Sequence, residues 1–169
     1  MTPHVILIDI QEKLFSVMSQ KDALLTNCLK FLEIAKELKF PILATEQNPD
    51  KLGTTLSALA KYPFSVEQKQ AFSAYEVLQD KIPQGAPLFI LGIEAHVCVL
   101  QTAQDFLKAG FTPTLLADCT SSRDQSNKQL ALDHLRSLGA RILSSEIVAF
   151  EAMRTYTHPS FKAISKIIK

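Results

Sequence analysis

The sequence predicts an α/β protein whose parallel sheet is covered by helices on both faces, and three observations carry that expectation. Short apolar runs alternate along the chain with longer segments of three- and four-residue apolar spacing. The runs are apolar at consecutive positions, as in strands buried on both sides. No repeat, low-complexity tract or long linker interrupts the alternation, so residues 1–169 are expected to form one domain.

His4–Ile10 (HVILIDI) is dense in β-branched residues and reads as the first strand. Asp22–Lys39 places Leu25, Leu29, Leu32, Ala35 and Leu38 along one helical face. Phe40–Thr45 is the second strand, with Pro41 tolerated at its start. A polar loop follows over Glu46–Thr54, where Asn48-Pro49 and Gly53 break regular structure, and then a short helix over Leu56–Lys61. Ser65–Lys69 is the third strand and Tyr75–Lys81 a short helix. Pro87–Ile93 (PLFILGI) is the clearest buried strand of the chain. His96–Ala109 continues as a helix that Gly110 stops. Thr112–Ala117 is the fifth strand, Gln125–Leu138 a helix stopped by Gly139, and Ala140–Leu143 the sixth strand. Two short helices, near Ser145–Met153 and Ser160–Ile167, complete the reading.

Composition removes several function classes. A net charge of +1 gives no field for gathering phosphates, and the cations are scattered, so no nucleic acid is expected as partner. The chain opens MTPHVILIDIQEK, an apolar stretch too short for a membrane span and without the basic leader of a signal peptide. Three cysteines, Cys28, Cys98 and Cys119, form neither a CxxC nor a zinc pattern, which suits a reducing cytoplasmic setting. After the first strand stands DIQEK where a dinucleotide-binding fold would carry G-x-G-x-x-G.

In open parallel sheets ligands sit beyond the carboxyl ends of the strands, where the strand order reverses. Asp9, Lys69, Glu94, His96 and Asp118 all fall at such ends, and Cys98 falls just inside the helix after the fourth strand. A cysteine there meets unpaired helix amides, which favour a thiolate with lowered pKa and could hold an oxyanion. A small buried hydrophobe is the commoner fate of a free cysteine, and position alone leaves both readings open. Asp9 interrupts an apolar strand and needs a cation or several donors, whether as a structural ion pair or as a general base. Lys69, in EQKQAFSA, is either solvated surface or the cation beside Asp9 and Cys98.

These residues stand in motifs that resemble a known family. ILIDIQEKLF around Asp9, ATEQNPDKLGTT after the second strand, EQKQAFSA around Lys69, ILGIEAHVCVLQTAQDFLKAG around Cys98, and LLADCTSSRD are similar, in that order, to the isochorismatase-like hydrolases. That group includes nicotinamidases and N-carbamoylsarcosine amidases. The resemblance implies a three-layer α/β/α, Rossmann-like fold with a six-stranded parallel sheet in the order 3-2-1-4-5-6. It implies a catalytic triad of Asp9, Lys69 and Cys98. It further implies a cis peptide at Ile93-Glu94 and an oxyanion hole from the backbone N–H groups of Glu94 and Cys98. Homo-oligomers are common in the family. Metal-binding nicotinamidases carry Asp-x-His and a further His after the second strand; TEQNPDKLGTT has no histidine, so neither a metal nor another cofactor is expected.

The resulting expectation is a cysteine hydrolase cleaving the C–N bond of a small amide, or a related acyl compound, through a Cys98 thioester. Phe15, Gln47, Phe72, Glu94 and His96 are the candidate substrate-binding residues. The alternatives are a non-catalytic oligomeric interaction or ligand-binding module of the same fold, and a redox role for a low-pKa Cys98, which ordinarily wants a resolving cysteine nearby.

Overall fold

The computed structural model describes residues 1–169. Its strands are β1 (His4–Ile8), β2 (Ile42–Gln47), β3 (Phe64–Lys69), β4 (Leu88–Ile93), β5 (Pro113–Ser121) and β6 (Arg141–Leu143). They form one six-stranded sheet in the order β3-β2-β1-β4-β5-β6, and every neighbouring pair is parallel. The chain therefore runs outward from β1 to β3 and then crosses back to β4 on the other side of β1. The reversal point expected to hold a ligand lies between the ends of β1 and β4.

Successive β1 side chains face opposite layers, and both layers are dry. Val5 and Leu7 pack with Leu24, Cys28, Phe31 and Leu32 of α2 (Lys21–Glu37). Ile6 and Ile8 pack with Phe106 of α5 (Leu100–Lys108) and Leu132 and Leu135 of α6 (Gln125–Ser137). Each such side chain contributes roughly 1.5–3 kcal/mol on burial, which is why the central strands carry unbroken apolar runs. On the α2 side, α7 (Ser145–Met153) and α8 (Phe161–Ile168) bury Ala149, Met153 and Ile164 against Ile34.

Several boundaries differ from the sequence reading, and each difference bears on the site. β1 stops at Ile8, because Asp9 takes a left-handed backbone with φ 48°. Such a turn costs a non-glycine residue about 1–2 kcal/mol, and Asp is among the residues that tolerate it. The chain then enters α1 (Glu12–Ser16), a helix of five residues, too short to show a periodicity. β2 runs two residues further than expected, to Gln47, and the loop after it holds α3 (Pro49–Leu52). Residues 56–61 are turns and not a helix: Leu59 N–H reaches only back to Leu56 O and Ala60 N–H to Ser57 O. The helix expected over Tyr75–Lys81 is α4 (Tyr75–Leu78) with a 3-10 turn, Gln79–Lys81.

β5 extends to Ser121 through an irregularity against β4, where the register passes from Ile90↔Leu115 to Gly92↔Thr120. Asp118 therefore sits inside β5 and not beyond it, and its carboxylate accepts from Ser145 N–H and Oγ at 2.9 and 2.5 Å. Gly92 has φ 131°, and a Cβ there would lie 2.1 Å from Ile8 O. Only glycine lets β4 approach β1 so closely just before the site.

Candidate active site

Asp9, Lys69 and Cys98 converge at the switch point. Asp9 is fully buried at the turn after β1. Its Oδ1 accepts from Thr45 Oγ1 at 2.8 Å, and its Oδ2 lies 2.8 Å from Lys69 Nζ. The Lys69 side chain is also buried, at 1% exposure, so this ion pair is cut off from solvent screening. Lys69 reaches it from the last residue of β3, next to Gln47 of β2 in the sheet register.

Cys98 lies in a π-helical turn, Ala95–Val99, that opens α5. In this turn Val99 N–H reaches back five residues to Glu94 O at 3.2 Å. The Ile93–Glu94 peptide bond is cis. The Cys98 thiol is 5% exposed, and Asp9 and Lys69 lie close enough to act on its charge.

Burial pushes the Cys98 thiol up to about 12, the Asp9 carboxylate adds to the rise, and Lys69 offsets only part of it. Burial and the neighbouring carboxylate thus act against the thiolate that the helix amides taken alone would favour. The sequence places the cysteine beside helix amides but does not display the desolvation and the neighbouring anion that outweigh them.

A pocket of about 120 Å³ opens over the sulfur, lined by Leu14, Gln47, Leu52, Phe72, Glu94, Val97 and Cys98. Of the candidate substrate-binding residues, Gln47, Phe72 and Glu94 line it. Phe15 does not; it packs against the apolar layer over β1, and its α1 neighbour Leu14 faces the pocket instead. His96 does not either: its Nδ1 shares a 2.9 Å hydrogen bond with Ser122 Oγ and lies 3.4 Å from Glu94 Oε2. Leu14, Leu52 and Val97 escaped the sequence reading because isolated aliphatic side chains in short helices look like ordinary core. Arg123 escaped it too; its Nε pairs with Glu94 Oε1 at 2.7 Å. The match of LLADCTSSRD was the available signal.

Two larger clefts, each about 410 Å³, share Pro3 and lie at the amino-terminal end of the sheet. Neither touches the Asp9–Lys69–Cys98 cluster, so size alone does not locate the chemistry. No three His, Cys, Asp or Glu side chains stand close enough to share a metal ion, and the Lys69 ammonium in the cluster repels cations.

An isochorismatase domain model matches residues 3–147, most of the chain. The chain belongs to the isochorismatase family. It is 34% identical over 166 residues to the mouse isochorismatase domain-containing protein 2A, covering 96% of this chain and 81% of that one. Among solved structures, a Caenorhabditis elegans protein described as the MAR1 ribonuclease superposes with a TM-score of 0.94 at 29% identity, covering 99% of this chain and 89% of that one. The Escherichia coli YcaC gene product, described as an octameric hydrolase of unknown specificity, shares the fold with a TM-score of 0.87 at 20% identity, covering 99% and 86%. No helix of this isochorismatase-family chain is long and apolar enough to cross a membrane.

Proposed function

We propose that this protein is a cysteine hydrolase that cleaves the C–N bond of a small amide or a related acyl compound. The observation that supports it most is the burial of Asp9, Lys69 and Cys98 together beneath a small pocket. Because Cys98 rests as a thiol, its proton leaves during attack and not before. Asp9 accepts that proton while Sγ forms a bond to the substrate carbonyl carbon. The carbonyl electron pair moves to oxygen, where the backbone N–H groups of Glu94 and Cys98 receive it. Asp9 then returns the proton to the departing nitrogen as the C–N bond breaks, leaving a thioester. Water, deprotonated by Asp9, attacks the thioester, and the proton goes back to the sulfur as the acid leaves. Lys69, 2.8 Å from Asp9 Oδ2, offsets the negative charge that passes between Asp9 and the sulfur during these transfers.

The pocket is well below the roughly 300–1,000 Å³ of sites for drug-sized ligands, which favours a compact substrate. Leu14, Leu52, Phe72 and Val97 suit an apolar portion of it. The same size argues against carrying over the ribonuclease description of the C. elegans relative. A pocket this small suits a compact ligand better than a nucleotide. The protein works as a homo-oligomer in this reading, as the octameric E. coli relative of the same fold does.

A panel of small primary and secondary amides, assayed by mass spectrometry for the free acid, tests the proposal. Turnover of at least one amide, abolished in Cys98→Ala and Asp9→Asn, is the expected result. Amide turnover that survives Cys98→Ala, or cleavage of an RNA oligonucleotide alone, overturns it.

A further inference from the structure

An ammonium has three N–H bonds, yet four oxygens surround Lys69 Nζ. Gln47 Oε1 is at 2.6 Å, Asp9 Oδ2 and Phe72 O are at 2.8 Å, and Ala71 O is at 3.2 Å. The nearest of them belongs to a side chain first read as a substrate ligand. That side chain is committed at both ends, since Gln47 Nε2 donates to Gln70 O at 2.7 Å. This bond decides which way the amide points, and it turns Oε1 toward the lysine. The backbone of Gln47 is held as firmly. Fully buried Gln11 donates from Nε2 to Gln47 O at 2.9 Å and to Gly53 O at 2.7 Å, and its Oε1 accepts from Gln47 N–H at 2.7 Å. Both polar atoms of the amide thus have protein partners, which fix its orientation at the edge of the pocket.

We infer that Gln47 is a positioning residue: its amide fixes where the Lys69 ammonium stands between Asp9 and Cys98, and Gln11 anchors Gln47 in turn. The inference rests on the proposed hydrolytic use of that cluster. A neutral acceptor matters here. The amide orients the ammonium without cancelling its charge, whereas a carboxylate in its place would draw Lys69 away from Asp9 and from a forming thiolate. The charged and titratable groups facing Cys98 are Asp9 after β1, Lys69 at the end of β3 and Glu94 before the π-helical turn. Glu94 is itself faced by His96 and Arg123.

The test is the rate of Cys98 alkylation by iodoacetamide across about pH 7 to 11, resolved by peptide mass spectrometry. It is measured in the parent, Gln47→Met, Lys69→Met and the double variant, each checked for folding by circular dichroism. Gln47→Met keeps the length of the side chain and removes the acceptor. It is expected to displace the profile upward by about one pH unit, a tenfold loss of rate at fixed pH. Lys69→Met should displace it further, and adding Gln47→Met to Lys69→Met should change nothing more. If Lys69→Met shifts the profile and Gln47→Met does not, or if Gln47→Met slows alkylation equally without Lys69, the inference on Gln47 fails and the hydrolase reading stands. If Lys69→Met leaves the profile unmoved, the hydrolase reading falls and this inference with it. Should Gln47→Met not fold, Gln47→Leu supplies the same cycle: it is neutral and lacks the acceptor, and it must slow alkylation only where Lys69 is present.

Discussion

Two charged clusters lie within one pocket wall of each other and obey different physics. The inner one, Asp9 with Lys69, is sealed at 0% and 1% side-chain exposure. The outer one joins buried Glu94 to Arg123 and His96, whose side chains are 65% and 22% exposed. In the inner cluster each group is oriented by neutral donors and acceptors, Thr45 on Asp9 and Gln47 on Lys69, and water cannot substitute for a lost partner. In the outer cluster water and salt can substitute for Arg123. The lesson is that geometry is fixed by the inner pair, while the outer one is adjustable.

Breaking the inner pair should therefore have the largest effect. Asp9→Ala leaves an uncompensated ammonium in the protein interior and should lower stability by about 3–5 kcal/mol, read from urea unfolding. An effect under about 1 kcal/mol would mean that water enters the cluster. Thr45→Val, which removes only the hydroxyl that donates to Asp9 Oδ1, should cost about 1.5–3 kcal/mol by the same method.

Alkaline pH separates the clusters in another way. A thiol whose pKa is raised by folding releases its proton earlier in the unfolded chain. Stability is then undisturbed below the unfolded value near 9 and falls as pH rises toward about 12. Cys98 should account for a loss of about 1.4 kcal/mol per pH unit in that window, which Cys98→Ala removes. Cys119, raised by burial, and Tyr62, raised to about 12 by burial and by Glu33, add slopes that persist in that variant. At the small end, Arg123→Ala should change stability by no more than about 1 kcal/mol, and high salt should shrink even that. A cost of several kcal/mol there would erase the distinction between the two clusters.

How much of this was legible in the sequence depends on what each feature needs. The sheet and its two covering layers follow from apolar runs such as HVILI and LFILGI, because consecutive apolar positions serve both faces of a buried strand. Asp9 and Lys69 stand out as charged residues at strand ends and Cys98 as a cysteine at a helix start, and their motifs tie them together. The pocket wall was less legible. Whether Leu14 or Phe15 faces the sulfur is set by the left-handed turn at Asp9 and by a helix of five residues, neither of which leaves a periodicity. Asp118 was misplaced because the irregularity in β5 carries no residue pattern of its own. The direction of the Cys98 shift was hidden for a different reason: it is a balance of burial, one anion and one cation, and only their arrangement in space sets its sign.

In the proposed reaction Cys98 carries the acyl group and Asp9 acts as its base. The most direct test is to mix the protein with a small activated ester, quench at short times, and locate the acyl group by peptide mass spectrometry. The expected result is a thioester on Cys98 that forms, then decays with turnover, and is absent in Asp9→Asn. Hydrolysis by the folded protein with no acyl group ever on Cys98, or with acylation unchanged in Asp9→Asn, would contradict it.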